Sequence, residues 1–281
     1  MRITLSASLN RHISSFIKYV NHVVKHRGNK LVTAVITLFN QAGGVGKSTL
    51  TINIGYHLAE RGCRVLLVDM DPQASLTIFM GLEPSDLDKT VYDALMNEEA
   101  MPVHQDIYGM ALAPSNLNLC LAEQELVTAD MRDTRLKEAL EPLMGDYDFI
   151  LIDCPPSLGL LSYVSLVAAT HILIPVQTEY KALRGTELLL QTVGRVKRRA
   201  NKSIKIAGVI PTMHKARTVQ GDASLQAIKE QLSQVGKVLD TVPRATDFAN
   251  AAQAHKPLAL FVPKHPAITV LQNIAKELNA I

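Results

Sequence analysis

Gln41-Ala42-Gly43-Gly44-Val45-Gly46-Lys47-Ser48-Thr49 decides the fold. The stretch lies between an apolar run at residues 32–39 and a helix-like segment at 48–61. A glycine-rich turn from strand to helix, ending in Gly-Lys-Ser, is the signature of a phosphate-binding loop. Loop amides and the helix N-terminus together form a concave anion site. Gly43, Gly44, Val45, Gly46 and Thr49 are expected to line it. Lys47 is expected to reach the β- and γ-phosphates, and the Ser48 hydroxyl to hold Mg²⁺. The general pattern has Gly at position 41, where this chain has Gln41 followed by Ala42.

From residue 32 onward, strand-like and helix-like segments alternate, which predicts an α/β fold: a doubly wound, mostly parallel sheet with helices on both faces. Strands are expected at 32–39, 65–68, 107–113, 149–152, 171–176, 204–210 and 238–242. The long helices are expected at 183–199, 219–235 and 267–278. Ligands of such sheets bind outside the carboxyl ends of the strands. Asp69 and Asp71 follow the second strand and Asp153 follows 149–152, so three carboxylates converge on the phosphate loop. That set predicts a nucleoside triphosphate and Mg²⁺ site, hence a P-loop NTPase. Asp153 is expected to hold the metal, usually through water. Asp71 is expected to orient the attacking water and to contribute to the metal site, and Asp69 to support the loop. Lys47, Asp71 and Asp69 are thus the expected catalytic groups. Cys154 is expected to be a packed neighbour of the metal residue, since no His base accompanies it.

Of the 281 residues 47% are hydrophobic and 5% aromatic, with no Trp, so the core must be aliphatic, as in a parallel sheet wrapped by helices. Cys63, Cys120 and Cys154 form no C-x-x-C pair, and reduced core thiols in a cytoplasmic protein are expected. No apolar run reaches the ~18 residues that a bilayer-spanning helix needs, which excludes an integral membrane role. The first thirty residues hold six of the 29 basic residues and no acid. The remainder is therefore net acidic, and a nucleic-acid role needs a local patch. Residues 1–31 are expected to be a basic extension, either disordered or upstream of the working start, with the ATPase domain at 32–281. Its apolar residues Ile13, Phe16, Ile17, Val20, Val23 and Val24 nevertheless fall at helical spacing, the pattern of a basic amphipathic helix on a membrane.

N-Q-A-G-G-V-G-K-S-T at 40–49, V-L-L-V-D-M-D-P-Q-A-S at 65–75 and F-I-L-I-D-C-P-P-S-L-G at 149–159 resemble the ParA/MinD family of deviant-Walker ATPases. The resemblance extends to P-V-Q-T-E-Y at 175–180 and V-P-R at 242–244. It implies an ATP-dependent sandwich homodimer, weak Mg²⁺-dependent hydrolysis of ATP to ADP and phosphate, and a partner protein that stimulates it. The family carries a signature lysine at the position of Ala42, which crosses the dimer interface to the partner's phosphates. Its loss leaves a desolvated anion short of a cation, so another basic group should substitute. Lys181 is the expected replacement, with Arg184 one turn on.

Absence of that lysine points to the McdA-type branch, which maintains carboxysome distribution. The implied function is positioning of carboxysomes on the nucleoid, with non-specific DNA as one partner and a small McdB-like or ParB-like adaptor as another. Plasmid or chromosome partition is the alternative, and a MinD-like membrane-cycling regulator the less favoured one. Arg195, Lys197, Arg198, Arg199 and Lys202 are the expected DNA-contacting residues, with Lys215, Arg217 and Arg244 secondary. Pro211, Thr212 and Pro243 are expected to close over the base. The expected location is cytoplasmic and nucleoid-associated.

Overall fold

The structure, a computed structural model, describes residues 33–281. The basic segment at 1–31 and the start of the first strand at residue 32 lie outside the described residues. In chain order the elements are β1 (Ala34–Leu38), α1 (Lys47–Glu60), β2 (Val65–Asp69), α2 (Ser75–Phe79), α3 (Val91–Met96), β3 (His104–Ile107), β4 (Met110–Ala113), α4 (Leu119–Glu125), α5 (Arg135–Leu140) and β5 (Phe149–Asp153). They continue with α6 (Leu160–Ala168), β6 (His171–Gln177), α7 (Tyr180–Arg199), β7 (Lys205–Thr212), α8 (Val219–Leu232), α9 (Asp247–Gln253), α10 (Leu258–Phe261) and α11 (Ala267–Leu278).

These strands form one sheet in the order β3-β4-β2-β5-β1-β6-β7. All pairings are parallel except β3 with β4. The doubly wound α/β reading therefore holds. Central strands are buried on both faces, so their residues are apolar without alternation. In β2, Val65 and Leu67 meet α1 and α11, while Leu66 and Val68 meet the layer of α3 to α6. In β6, Ile172, Ile174 and Val176 pack on α7 and α8. The chain leaves β1 toward β2 on one side and later fills β6 and β7 on the other. The crevice at that reversal is where such sheets take ligands, and the loop after β1 occupies it.

Two expected strands came out differently. Residues 107–113 are not one strand but part of an antiparallel hairpin, turning at Tyr108 (φ 55°) and Gly109 (φ 74°). Two consecutive positive-φ residues make the tight connection whose twist suits paired strands, and Tyr108 gave no sign of it. Residues 238–242 run beside β7 through isolated bridges, Val209 to Val238 and His214 to Pro243, without a continuous ladder. The short helices α2, α9 and α10 were unforeseen, since a single turn or two carries too little periodicity to read.

The last three helices fold back onto α1. Asn53 on α1 is buried, donates to the Thr49 carbonyl at 2.7 Å and accepts from the Leu258 N–H at 2.8 Å. That side chain fixes the entry to α10 and, through it, the cover over the phosphate-loop helix. Asn53→Ala leaves the Leu258 N–H buried without its acceptor, which costs about 1–3 kcal/mol; denaturant unfolding should show that loss.

Candidate functional site

The carbonyls of the loop after β1 are tied from behind. Lys47 Nζ donates to Asn40 O at 3.1 Å and Ala42 O at 3.0 Å. Gln177 Nε2 donates to Gly44 O at 2.8 Å and Thr212 Oγ1 to Val45 O at 3.0 Å. The Leu50 N–H takes Gly46 O at 2.8 Å. In a trans peptide the C=O and the following N–H point opposite ways, so these contacts turn the loop amides toward its concave side. Gly44 (φ 71°) and Gly46 (φ 92°) take backbone conformations that side chains disfavour, which the turn into α1 requires. Asn40 anchors the loop's start, accepting from the Ala42 N–H at 2.9 Å and donating to Pro175 O on β6 at 2.7 Å.

The three carboxylates stand together at the ends of β2 and β5 but in different states. Asp153 is fully buried and neither oxygen has a hydrogen-bond partner of ordinary geometry. Burial raises its pKa well above the carboxylate range, and neighbouring Asp69 adds to this; Ser48 and Lys47, facing it, pull the other way. A buried carboxylate with two orphaned oxygens beside a serine hydroxyl is a donor set that suits a small divalent cation held mostly by oxygens and water. Lys47 is buried too, and desolvation lowers its pKa against the opposing pull of Asp153.

Asp69 is instead committed to local structure. Its Oδ2 accepts from the Thr77 N–H at 2.9 Å and hydroxyl at 2.8 Å, and its Oδ1 from the Asp71 N–H at 3.1 Å. Burial still pushes its pKa up to about 7, opposed by the Thr77 bonds. Thr77 Oγ1 also accepts from the Ser115 N–H, and the Ser115 hydroxyl holds Asp71 O at 2.8 Å. Asp69 thus positions Asp71, as a supporting group rather than one that meets a substrate. Asp71 itself caps its own turn by accepting from the Gln73 N–H at 3.0 Å. Cys154 is buried with its thiol pushed up to about 12 by burial, the state of a packed neighbour and not of a nucleophile.

The structure treats the remaining expected residues unequally. Thr212 is buried and its hydroxyl is spent on the loop, which it clamps through Val45 O. Pro211 and Pro243 lie on adjacent segments of a lip: Val242 N–H to Pro211 O at 2.8 Å, His214 N–H to Val242 O at 3.1 Å, and Pro243 bridged to His214. Lys181 is exposed in the first turn of α7; the side chain of Arg184 lies outside the described ones. Gln41 donates from Nε2 to the Gly185 carbonyl, tying that end of α7 to the phosphate loop. Arg195, Lys197, Arg198, Arg199 and Lys202 lie at or just past the end of α7, and among the described residues none is in an ion pair. They sit at the far end of a 20-residue helix, with Arg195 to Arg199 about 15–21 Å along the axis from Gly185, where Gln41 ties the helix to the loop, at ~1.5 Å per residue. Missed from sequence were Thr77 and Ser115, which carry no motif, and the roles of Asn40 and Gln177, which stand inside quoted motifs but were given no task.

A family model described as an AAA domain matches residues 33–206. The chain is 40% identical over 250 residues to the sporulation initiation inhibitor protein Soj of Bacillus subtilis, covering 88% of this chain and 98% of that one. It is 38% identical over 241 residues to the chromosome partitioning protein ParA of Myxococcus xanthus, 84% of each chain. Among solved structures, cobyrinic acid a,c-diamide synthase from Mycobacterium smegmatis with a bound ATP analogue and magnesium is 33% identical, with a TM-score of 0.79 over 88% of this chain and 95% of that one. The ATP complex of an McdA variant from Cyanothece has the same TM-score, 0.79, over 88% and 96% at 23% identity, a likeness of fold alone.

The orphaned Asp153 makes a prediction with opposite signs. Asp153→Asn removes a fully buried acid that burial and Asp69 both destabilise, so the nucleotide-free protein should melt at higher temperature. The same variant should lose Mg²⁺-dependent nucleotide hydrolysis by at least about tenfold, or ~1.4 kcal/mol in the barrier, read by phosphate release.

Proposed function

Because the chain belongs to the ParA/Soj family of P-loop ATPases, we propose that it couples ATP binding and hydrolysis to reversible gripping of DNA, and thereby positions a cargo. ATP and Mg²⁺ are its cofactors. The observation that carries the reading is the phosphate loop with its carbonyls tied backward, set beside a buried carboxylate whose oxygens lack ordinary hydrogen-bond partners.

Gly43, Gly44, Val45 and Gly46 cradle the phosphates through backbone amides, with Ser48 and Thr49 at the helix start. On binding, Lys47 exchanges its two loop carbonyls for phosphate oxygens, which stabilises the charge that develops on the transferred group. Ser48 and Asp153 would hold Mg²⁺, with Asp71 available beside them, and the bound ion would supply positive charge against the triphosphate. Asp71, positioned by Asp69 and Ser115, orients the attacking water. Pro211 and Pro243 border the base.

Two nucleotide-bound copies pair face to face. Ala42 supplies no cation to the partner's phosphates, and Lys181 does so instead. Its support is position: exposed, on the helix end that Gln41 ties to the loop. Pairing also brings together two basic α7 ends, so that Arg195, Lys197, Arg198, Arg199 and Lys202 of both copies contact DNA phosphates without reading sequence. A small adaptor on the cargo stimulates hydrolysis and releases the grip.

Two cargoes have separate support. The Soj and ParA relatives favour a chromosome or plasmid partition complex. Ala42 favours carboxysomes, the cargo of the McdA-type branch that dispenses with the signature lysine. Live imaging of the tagged protein beside labelled carboxysomes and labelled origin DNA decides between them. The similarity to a diamide synthase does not favour an amide-forming enzyme, since the Soj and ParA relatives are more alike in sequence over a comparable length.

Charge reversal at Arg198→Glu with Arg199→Glu should preserve ATP binding and reduce the salt slope of ATP-dependent DNA binding by about one unit per lost phosphate contact. Unaltered DNA binding rejects the patch. Lys181→Ala should abolish ATP-dependent dimerisation, measured by light scattering; a variant that dimerises and hydrolyses as the parent does rejects the substitution of Lys181 for the missing lysine.

A further inference from the structure

Between Asp153 and α6 runs a short loop, Cys154-Pro155-Pro156-Ser157-Leu158-Gly159, that borders the phosphate loop. Pro156 is the exposed neighbour: a Cβ built on Gly43 would stand 3.7 Å from the Pro156 Cβ, an ordinary van der Waals contact. Two consecutive prolines fix φ through the first half of the loop and leave it without amide donors there. Freedom is left to the second half, and side chains hold it. From the first turn of α6, Ser162 Oγ donates to Ser157 O at 2.8 Å, and the Gly159 N–H donates to Ser157 Oγ at 3.3 Å.

A further hold comes from another helix. Glu123 on α4 accepts from the Leu160 N–H through Oε1 at 3.1 Å, across 37 residues of chain. Gly159, which precedes α6, has no side chain with which to cap that helix. A carboxylate from α4 takes the capping role instead, at the helix end where the dipole favours negative charge. The approach is close enough to require glycine: a Cβ at 159 would lie 1.9 Å from Glu123 Oε1. The Gly159 backbone is otherwise ordinary for any residue (φ −73°), so the contact with Glu123, not conformation, is what resists a side chain there. The segment that carries Glu123 also holds the other acid's turn, since Ser115 Oγ donates to Asp71 O at 2.8 Å. One short stretch, 115–123, thus touches both the turn of Asp71 and the loop that follows Asp153.

We propose that Glu123 is a positioning residue for hydrolysis at this site: it latches the loop 154–159 beside the phosphate loop, so that one segment braces the elements of Asp71 and Asp153 together. The proposal rests on the ATPase reading of that site. Glu123 acts through Leu160 and the loop, without meeting the nucleotide itself. Because the two prolines stiffen the first half of the loop, release at Leu160 shifts Pro156 against Gly43 rather than being absorbed between them. A small misplacement beside the reacting phosphates costs turnover more than it costs nucleotide affinity.

Three substitutions in the full-length protein test this. Glu123→Ala removes the acceptor, Glu123→Gln keeps an oxygen for the Leu160 N–H, and Gly159→Ala displaces the flexible end of Glu123 from its bond. Expected in Glu123→Ala and in Gly159→Ala is a fall in kcat for ATP of about ten- to a hundredfold with KM unchanged. Both should also show faster amide hydrogen exchange at Leu160 in the nucleotide-free protein. Glu123→Gln should recover most of the turnover and the slow exchange. Glu123→Ala combined with Gly159→Ala should be no worse than either alone, because both break one contact. Gly159→Ala keeps the test open if Glu123→Ala fails to fold. Parental kcat in Glu123→Ala overturns the proposal, even with a lowered melting temperature, since that assigns Glu123 to stability only. A loss that Glu123→Gln shares in full, or that adds up in the double variant, overturns it as well. A parent that hydrolyses no ATP is the failure of the ATPase reading and takes this proposal with it; a parent that hydrolyses ATP and variants that match it sink this proposal alone.

Discussion

A phosphate loop works only if its carbonyl oxygens are held away from the anion. Here that demand is met for Gly44 and Val45 by Gln177 from β6 and Thr212 from β7, while Lys47 holds the Asn40 and Ala42 carbonyls from within the loop. Each donor sits at the carboxyl end of a strand or the start of the helix, so the loop's shape depends on the register of the β1-β6-β7 half of the sheet. Lys47 also spares the fold a cost: by donating to two carbonyls its buried ammonium is not left unpaired.

The other half of the sheet supplies the acids, and it does so under electrostatic tension. Asp69 and Asp153 are neighbours in register across β2 and β5, both fully buried. Burial, with repulsion from neighbouring acids, raises both pKa values. Thr77 relieves Asp69 with two hydrogen bonds, whereas Asp153 has only the weaker pull of Ser48 and Lys47. Such an arrangement costs stability in the protein alone, and bound metal and triphosphate offset it. A division of labour follows: one acid organises the turn, and the other keeps both oxygens free of ordinary hydrogen bonds.

Helix α7 joins two regions that the sheet keeps apart. Its first turns are held to the phosphate loop through Gln41 and Gly185, at a glycine whose Cβ would come within 2.9 Å of that amide. Its last turn presents the basic cluster.

The sequence by itself determined the phosphate loop, the three strand-end acids, the doubly wound sheet and the basic end of α7. All of these are local in the chain: a short glycine-rich motif, apolar runs ending in Asp, charge along one helix. It also determined that Ala42 stands where a lysine is expected. The tertiary structure decided which of those acids is spoken for, since Thr77 and Ser115 reach Asp69 and Asp71 only once α2 and the segment after β4 are packed together. It also gave Thr212 a task on the loop, because its hydroxyl finds Val45 across 167 residues of chain. The hairpin at Tyr108–Gly109 and the interrupted pairing beside β7 were also set by long-range packing, where backbone angle and neighbour outweigh residue type.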